Sequence, residues 1–360
     1  MNPALSTFVP GWRLDPRAAF DVAETATGAG VVPFEIGDRA YAVYRNVNLS
    51  IYSGQTCNAR CPFCVEELRP ASRGRDLASQ KRVEPDDARY FRRLDEVLAM
   101  TKSLDPSLSI TGGEPSKDPR LPGILERVAR HGLRKRTLTT NGSGLLDALP
   151  SGGDLLDQVL GARLAHLNLS RAHWDARVNQ RIMRIDPPQT EADLRRIVTR
   201  AQAAGTRPRL SCVLLAGVVD SLETCLRYLS WAASLGVDNV VFRQLMQFDR
   251  STYSENVVTR YSESSRVALD PILERIRPSG GGPAHPGFRF QRHVLGYYYA
   301  VEVFRFEVDG FGMGVCFEGA DLADLERQRD RDAPNVIHEL IFHPGTELCS
   351  TWQPWDGQIF

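Results

Sequence analysis

Three cysteines fall within eight residues, in the run Cys57-Asn58-Ala59-Arg60-Cys61-Pro62-Phe63-Cys64. Thiolates are soft ligands, and this spacing lets three of them close around one metal centre from a single loop. A structural zinc site normally takes four protein ligands. No fourth follows nearby: the next cysteine is Cys212 and the first histidine is His131. An iron–sulfur cluster held by three cysteines leaves one iron open to another molecule. An incomplete zinc knuckle is the competing reading of the same residues.

Further motifs follow at wider spacing. Gly112-Gly113-Glu114-Pro115 joins two residues that let backbone approach a ligand to a carboxylate able to accept from an ammonium. Alone it also reads as a plain turn. Thr139-Thr140-Asn141-Gly142 and Leu167-Asn168-Leu169-Ser170 are polar at the ends of apolar-patterned runs, although Asn-Gly is also a common turn. The elements that must position these residues alternate. Strands are expected at Val47–Ile51, Ser107–Thr111, Thr137–Thr140, Leu164–Ser170, Leu210–Leu215 and Val237–Phe242. Helices are expected at Pro85–Met100, Leu121–His131, Thr190–Ala204 and Ser221–Leu235. Alternation of this kind requires crossover connections and hence a parallel sheet, open or closed into a barrel. Function in such sheets sits at the C-terminal strand ends, where these motifs fall.

With these residues in place, the sequence resembles the radical S-adenosylmethionine (SAM) superfamily. The signature is Cys-x3-Cys-x2-Cys after a first strand, with aromatic Phe63 before the last cysteine. The resemblance covers about residues 45–245 and is closest to the molybdenum-cofactor-cyclase-like subgroup. It implies an α/β fold, a partial (β/α)6 barrel with a strand-rich C-terminal cap. It also implies one [4Fe–4S] cluster on Cys57, Cys61 and Cys64, with SAM chelated to the free iron. Reductive cleavage of SAM would yield a 5′-deoxyadenosyl radical, with the electron from a donor such as flavodoxin or ferredoxin. By the same resemblance Phe63, Gly112, Gly113, Glu114, Pro115, Asn141, Ser170 and Arg184 are expected around SAM, with Arg171 a further carboxylate partner. Val213–Val219 is expected to pack adenine, and Gln244 to face the site. Many subgroup members carry auxiliary clusters in a cysteine-rich C-terminal extension. Here only Cys316 and Cys349 lie beyond the barrel, too few for one.

The remaining cysteines divide. Cys212 and Cys225 sit at apolar strand and helix positions and read as core. Cys316, in Gly314-Val315-Cys316-Phe317, is either a buried strand residue or a catalytic thiol that returns a hydrogen atom to a substrate radical. His173-Trp174-Asp175 either lines the cavity or begins a helix. Tyr297-Tyr298-Tyr299, His338 and His343 read as strand packing.

The chain's 360 residues divide as an N-terminal extension over 1–44, a barrel over 45–277, and an α+β cap over 284–360 beyond a Gly/Pro-rich linker. Charge is balanced, 44 Lys plus Arg against 44 Asp plus Glu, which argues against nucleic acid as a partner. No apolar run approaches the roughly 20 residues of a membrane span, and no secretory signal is visible, so the expected compartment is the cytoplasm. The expected substrate is a small molecule of secondary metabolism, a sugar, aminocyclitol or nucleoside undergoing epimerisation or dehydrogenation. Modification of a ribosomally made peptide is the alternative, and a non-catalytic metal-binding scaffold the alternative of another class. One cluster predicts about four irons per chain after anaerobic reconstitution; an iron titration giving about twice that would contradict it.

Overall fold

The computed structural model describes residues 31–360 except 46, 55, 134, 151, 279, 296–298 and 321–334. Residues 1–30 of the expected extension, Tyr297 and Tyr298, and a polar helix expected near Asp321–Arg331 lie outside the described residues. A hairpin comes first, β1 (Val31–Ile36) and β2 (Arg39–Tyr44), then β3 (Asn48–Ser53) and the two-residue β4 (Arg69–Pro70). The barrel strands continue with β5 (Ser107–Gly112), β6 (Lys135–Thr140), β7 (His166–Ser170), β8 (Arg207–Val213) and β9 (Asn239–Arg243). After β10 (Tyr253–Ser254) come β11 (Phe288–Leu295), β12 (Tyr299–Val308), β13 (Phe311–Ala320), β14 (Val336–Ile337), β15 (Leu340–Phe342) and β16 (Leu348–Cys349). The helices are α1 (Leu77–Gln80), α2 (Asp87–Thr101), α3 (Leu121–His131), α4 (Leu155–Gly161), α5 (Ala176–Met183), α6 (Glu191–Ala203), α7 (Leu222–Ser234), α8 (Val257–Ser265) and α9 (Asp270–Ile276).

Local chemistry sets the helix ends. Asp86 caps α2 by accepting from Ala88 N and Arg89 N. Gly132, at φ 66°, closes α3 in the left-handed conformation that favours glycine. Thr190 and Asp193 form the expected capping box of α6. The hydrogen-bonded order of the main sheet is β11-β12-β13-β9-β8-β7-β6-β5-β3-β15-β16. Its centre, from β3 to β9, is six parallel strands, the partial (β/α)6 arrangement. The strand-rich C-terminal segment is hydrogen-bonded into both edges of this sheet. β13 runs parallel to β9 and carries β12 and β11 beyond it, while β15 runs parallel to β3.

The two faces of the sheet differ in chemistry. Leu49, Ile51, Leu108, Ile110, Leu138, Leu167, Leu169, Leu210, Val240 and Phe242 alternate onto the outer face and join the helices in one apolar core. Ser50, Ser109, Thr137, Thr139, Asn168, Arg209 and Ser211 occupy the positions between them and so point to the inner face. Closed barrels of this kind fill that interior with branched apolar side chains. Here it is polar and partly hydrogen-bonded to itself: Asn48 donates to Ser50 and Ser109, and Asn168 to Thr139. Leu169→Ala, on the outer face, is expected to cost about 2–5 kcal/mol in denaturant unfolding. Ser211→Ala, on the inner face, is expected to cost less than about 1 kcal/mol; equal losses would contradict this division.

Candidate functional site

The cysteine loop leaves β3 and is tied down from three sides. On the β5 side, Gly113 N donates to Gly54 O at 3.2 Å and Glu114 N to Thr56 O at 2.9 Å. From the end of α5, Arg60 N donates to Met183 O at 3.0 Å and Asp186 N to Asn58 O at 2.8 Å. From the end of β6, Asn141 Nδ2 donates to Asn58 Oδ1 at 3.0 Å, while Asn58 Nδ2 donates to Ser143 Oγ at 2.8 Å. Inside the loop Cys64 N donates to Cys61 O at 3.1 Å. Asn58, between the first two cysteines, is thus the clamp residue; its place inside the motif was the only sequence signal for it.

A cavity of about 430 Å³ opens over this loop. Cys57, Cys64, Gly112 and Gly113 line one side, and Glu66, Glu67, Arg69 and Asn256–Val258 at the start of α8 the other. The glycines are required here. A Cβ on Gly112, at φ 132°, would meet Ser53 O at 2.7 Å, and one on Gly113 would meet Thr56 O at 2.5 Å. All three thiols are free. Burial, then the negative charge of neighbouring groups, pushes Cys64 up to about 12, and burial raises Cys57 and Cys61 as well. A thiol in this state gives up its proton when it binds metal. Among the described residues no three His, Cys, Asp or Glu side chains are gathered for a single metal ion. A cluster makes no such demand, since each cysteine binds its own iron, and three free thiols on one loop beside a cavity are a donor set that fits it.

Behind the loop lies a buried group that no sequence pattern marked. Lys81 is paired with Glu66, and its ammonium sits 3.8 Å from the centre of the Tyr52 ring. Burial lowers the Lys81 pKa, partly offset by Glu66.

Glu114 differs from expectation. It is 2% exposed and does not line the cavity. Its Oε1 accepts from Ser116 N at 2.9 Å and from Thr140 Oγ1, and its Oε2 accepts from Asn141 N at 2.7 Å. A buried carboxylate must be satisfied, and the strand ends supply three donors to this one, so it positions the motif. Pro115 is buried at the start of the following turn. Phe63 is half-buried, its ring 6.4 Å from that of Tyr261. Arg184 is exposed and closes α5, next to Met183, which bonds the cysteine loop.

Other expected residues are bound elsewhere. Gln244 donates to Val267 O and accepts from Arg266, which makes it a strut and not a site residue. Arg171 is 2% exposed and lies near the Trp231 ring on α7, so it is neither a surface residue nor on the cavity wall. His173 accepts from Asp175 N at the start of α5, the helix-opening alternative. His338 and His343 are buried, with His343 bonded to Thr351 O. Cys212 and Cys225 are core, as read. Cys316 is half-buried within β13.

Register brings the remainder together. Asn141 follows the β6–β7 pairs into line with Ser170, Ser170 pairs with Ser211, Ser211 with Val241, and Val241 with Cys316. Neighbours in register on parallel strands point to the same side, so this one row runs across the inner face from the cysteine loop to Cys316.

A family model of the radical SAM superfamily matches residues 51–239, more than half of the chain. The chain belongs to the radical SAM superfamily. This family uses a [4Fe–4S] cluster and SAM, and the chain is accordingly an enzyme. The GTP 3′,8-cyclase of Tolumonas auensis is 28% identical over 290 residues, 75% of this chain and 78% of the relative. That of Streptomyces coelicolor is 32% identical over 236 residues, 63% of this chain and 62% of the relative. Against the Xanthomonas campestris enzyme the match spans about half of each chain. Among solved structures, Streptococcus suis SuiB bound to precursor peptide SuiA has a TM-score of 0.45 at 17% identity, covering 66% of this chain and 46% of that one. Native anSMEcpe with bound AdoMet has a TM-score of 0.40 at 14% identity, covering 54% of this chain and 50% of that one.

Two outcomes follow from this geometry. Alanine at Cys57, Cys61 or Cys64 is expected to abolish the visible absorbance of the reconstituted cluster, while alanine at Cys349 leaves it in place. Glu114→Gln leaves buried donors facing an amide and is expected to cost about 1–3 kcal/mol of stability, with SAM affinity falling alongside. Loss of SAM binding at unchanged melting temperature would instead make Glu114 a direct SAM ligand.

Proposed function

We propose that this radical SAM enzyme abstracts a hydrogen atom from a small molecule, a sugar, aminocyclitol or nucleoside, and tailors it by epimerisation or dehydrogenation in secondary metabolism. The observation that carries this reading is the polar inner face, which begins at the cysteine loop and ends at a thiol. A hydroxyl-rich substrate matches a face of serines, threonines and asparagines better than an apolar one would. The names of the curated relatives, enzymes of GTP, support a small and polar substrate.

When bound, the cluster supplies the electron that cleaves SAM to the 5′-deoxyadenosyl radical. The chain's own residues do the rest. Cys57, Cys61 and Cys64 hold the cluster, and the Cβ-free backbone at Gly112 and Gly113 admits the methionine end of SAM. Asn141 fixes the loop, and Ser170 offers a hydroxyl on the inner face. In an epimerisation Cys316 is the hydrogen donor. Its S–H bond breaks homolytically as a new C–H bond forms on the opposite face of the substrate carbon. The thiyl radical left behind takes one electron from the external donor, a flavodoxin or ferredoxin, and one proton from solvent. Burial raises the Cys316 pKa, which keeps the thiol protonated and holding the hydrogen atom it must give. Among the described residues no helix is long and apolar enough to cross a membrane; the reading places the enzyme in the cytoplasm, with no nucleic-acid partner.

Anaerobically reconstituted protein given SAM and dithionite is expected to release 5′-deoxyadenosine; none at all would leave only a metal-binding scaffold. With its substrate, Cys316→Ala is expected to form 5′-deoxyadenosine without matching epimer. Undiminished epimer would remove the thiol from the mechanism, and turnover of a precursor peptide in place of any small molecule would replace the substrate class.

A further inference from the structure

The inner face is not evenly polar. Its hydroxyls run from β3 and β5 to Ser170 on β7 and Ser211 on β8, whereas its positive charge gathers around Cys316. Arg209 on β8 is hydrogen-bonded through its side chain to Asn239 on β9, and Asn239 is in register with Gly314 on β13, two residues before Cys316. Arg243 pairs in register with Glu318, two residues after Cys316. Arg292 on β11 is in register with Val303, and Val303 with Cys316. The thiol is therefore flanked by three guanidinium groups and one carboxylate. That carboxylate is engaged: Glu318 lies 3.2 Å from Arg243 Nη1.

Arg292 and Arg209 are the cations left over; Arg292 is exposed, so the candidate is Arg209. It is half-buried, and among the described residues no carboxylate pairs with it. Asn239, 5% exposed, accepts from Arg209 Nε and so fixes the plane of the guanidinium. Holding a guanidinium this way leaves its remaining N–H groups as a preset fork, the geometry that matches phosphate and carboxylate oxygens. In register beside it on β7, Asn168 is 8% exposed. Its Nδ2 donates to Thr139 Oγ1, and its Oδ1 is buried with no partner. A buried acceptor without a donor is costly, and one beside an unpaired guanidinium on the inner face marks a place for a ligand that brings both a hydroxyl and a negative charge.

We infer that Arg209 and Asn168 form an anion subsite for the substrate, with Arg209 binding a phosphate or carboxylate and Asn168 Oδ1 accepting from an adjacent hydroxyl. The substrate class is then an anionic polyol, and its anchored end sets which carbon lies before Cys316. This rests on the proposed small-molecule reading and narrows it.

The test uses holoenzyme with cluster and SAM, and three probes: glucose 6-phosphate, glucuronate and neutral glucose. At least one anionic probe is expected to bind measurably by calorimetry, while glucose binds at least about tenfold more weakly. Arg209→Gln is expected to lose at least about tenfold in affinity for the anionic probe, Arg209→Lys less. Retained SAM binding and an unchanged melting temperature separate a lost subsite from a lost fold. Preference between the two anionic probes tells phosphate from carboxylate. Equal binding of glucose, an Arg209→Gln affinity equal to wild type, or no binding of either anion overturns the subsite. Any of these results can stand beside undiminished 5′-deoxyadenosine release, so the subsite fails separately from the radical SAM reading.

Discussion

One buried carboxylate joins the parts of the site. Glu114 lies at the end of β5, and its oxygens hold the end of β6 through Thr140 and Asn141 N. Asn141 in turn holds Asn58 within the cysteine loop, and Asn58 reaches on to Ser143 and to Asp186 O beyond α5. Four stretches far apart in sequence thus share one hydrogen-bond network. Its strength comes from the cost of the alternative, a charged group out of water with no partner. The glycines before Glu114 serve the same end, because only their missing Cβ atoms let β5 and the loop approach closely.

The two-faced sheet is the second constraint. Parallel sheets are usually buried on both sides and read as continuous apolar runs. These strands instead alternate, Leu-Asn-Leu-Ser in β7 being the plainest case. The apolar half supplies the core with the helices. The polar half gains nothing from burial in the fold, and so is free to be chosen for what it binds.

Much of this was legible in the sequence. The barrel strands and longer helices announced themselves through periodicity and caps such as Asp86 and Thr190. The cysteine and double-glycine motifs named their positions because few other chemistries use that spacing. Short α4, α8 and α9 escaped, since seven to nine residues offer barely two turns of pattern. The direction of Glu114 escaped because a motif states which residue is present and not which neighbours will satisfy it. Gln244 was misplaced for the same reason: partners from distant elements decide where a long polar side chain points. Arg209 had no motif at all, and only register reveals that it shares a face with Cys316.

The pairing of β15 with β3 carries a consequence for how the molecule is made. The strand that launches the cysteine loop is completed on its outer edge only by Leu340–Phe342, matched to Leu49–Ile51. Nearly the whole chain separates these partners, and contacts of such long sequence separation are slow to form. During synthesis the loop's supporting strand keeps an unpaired edge until Leu340–Phe342 has been made. Cofactor loading onto a settled loop is thereby deferred until that distant strand arrives.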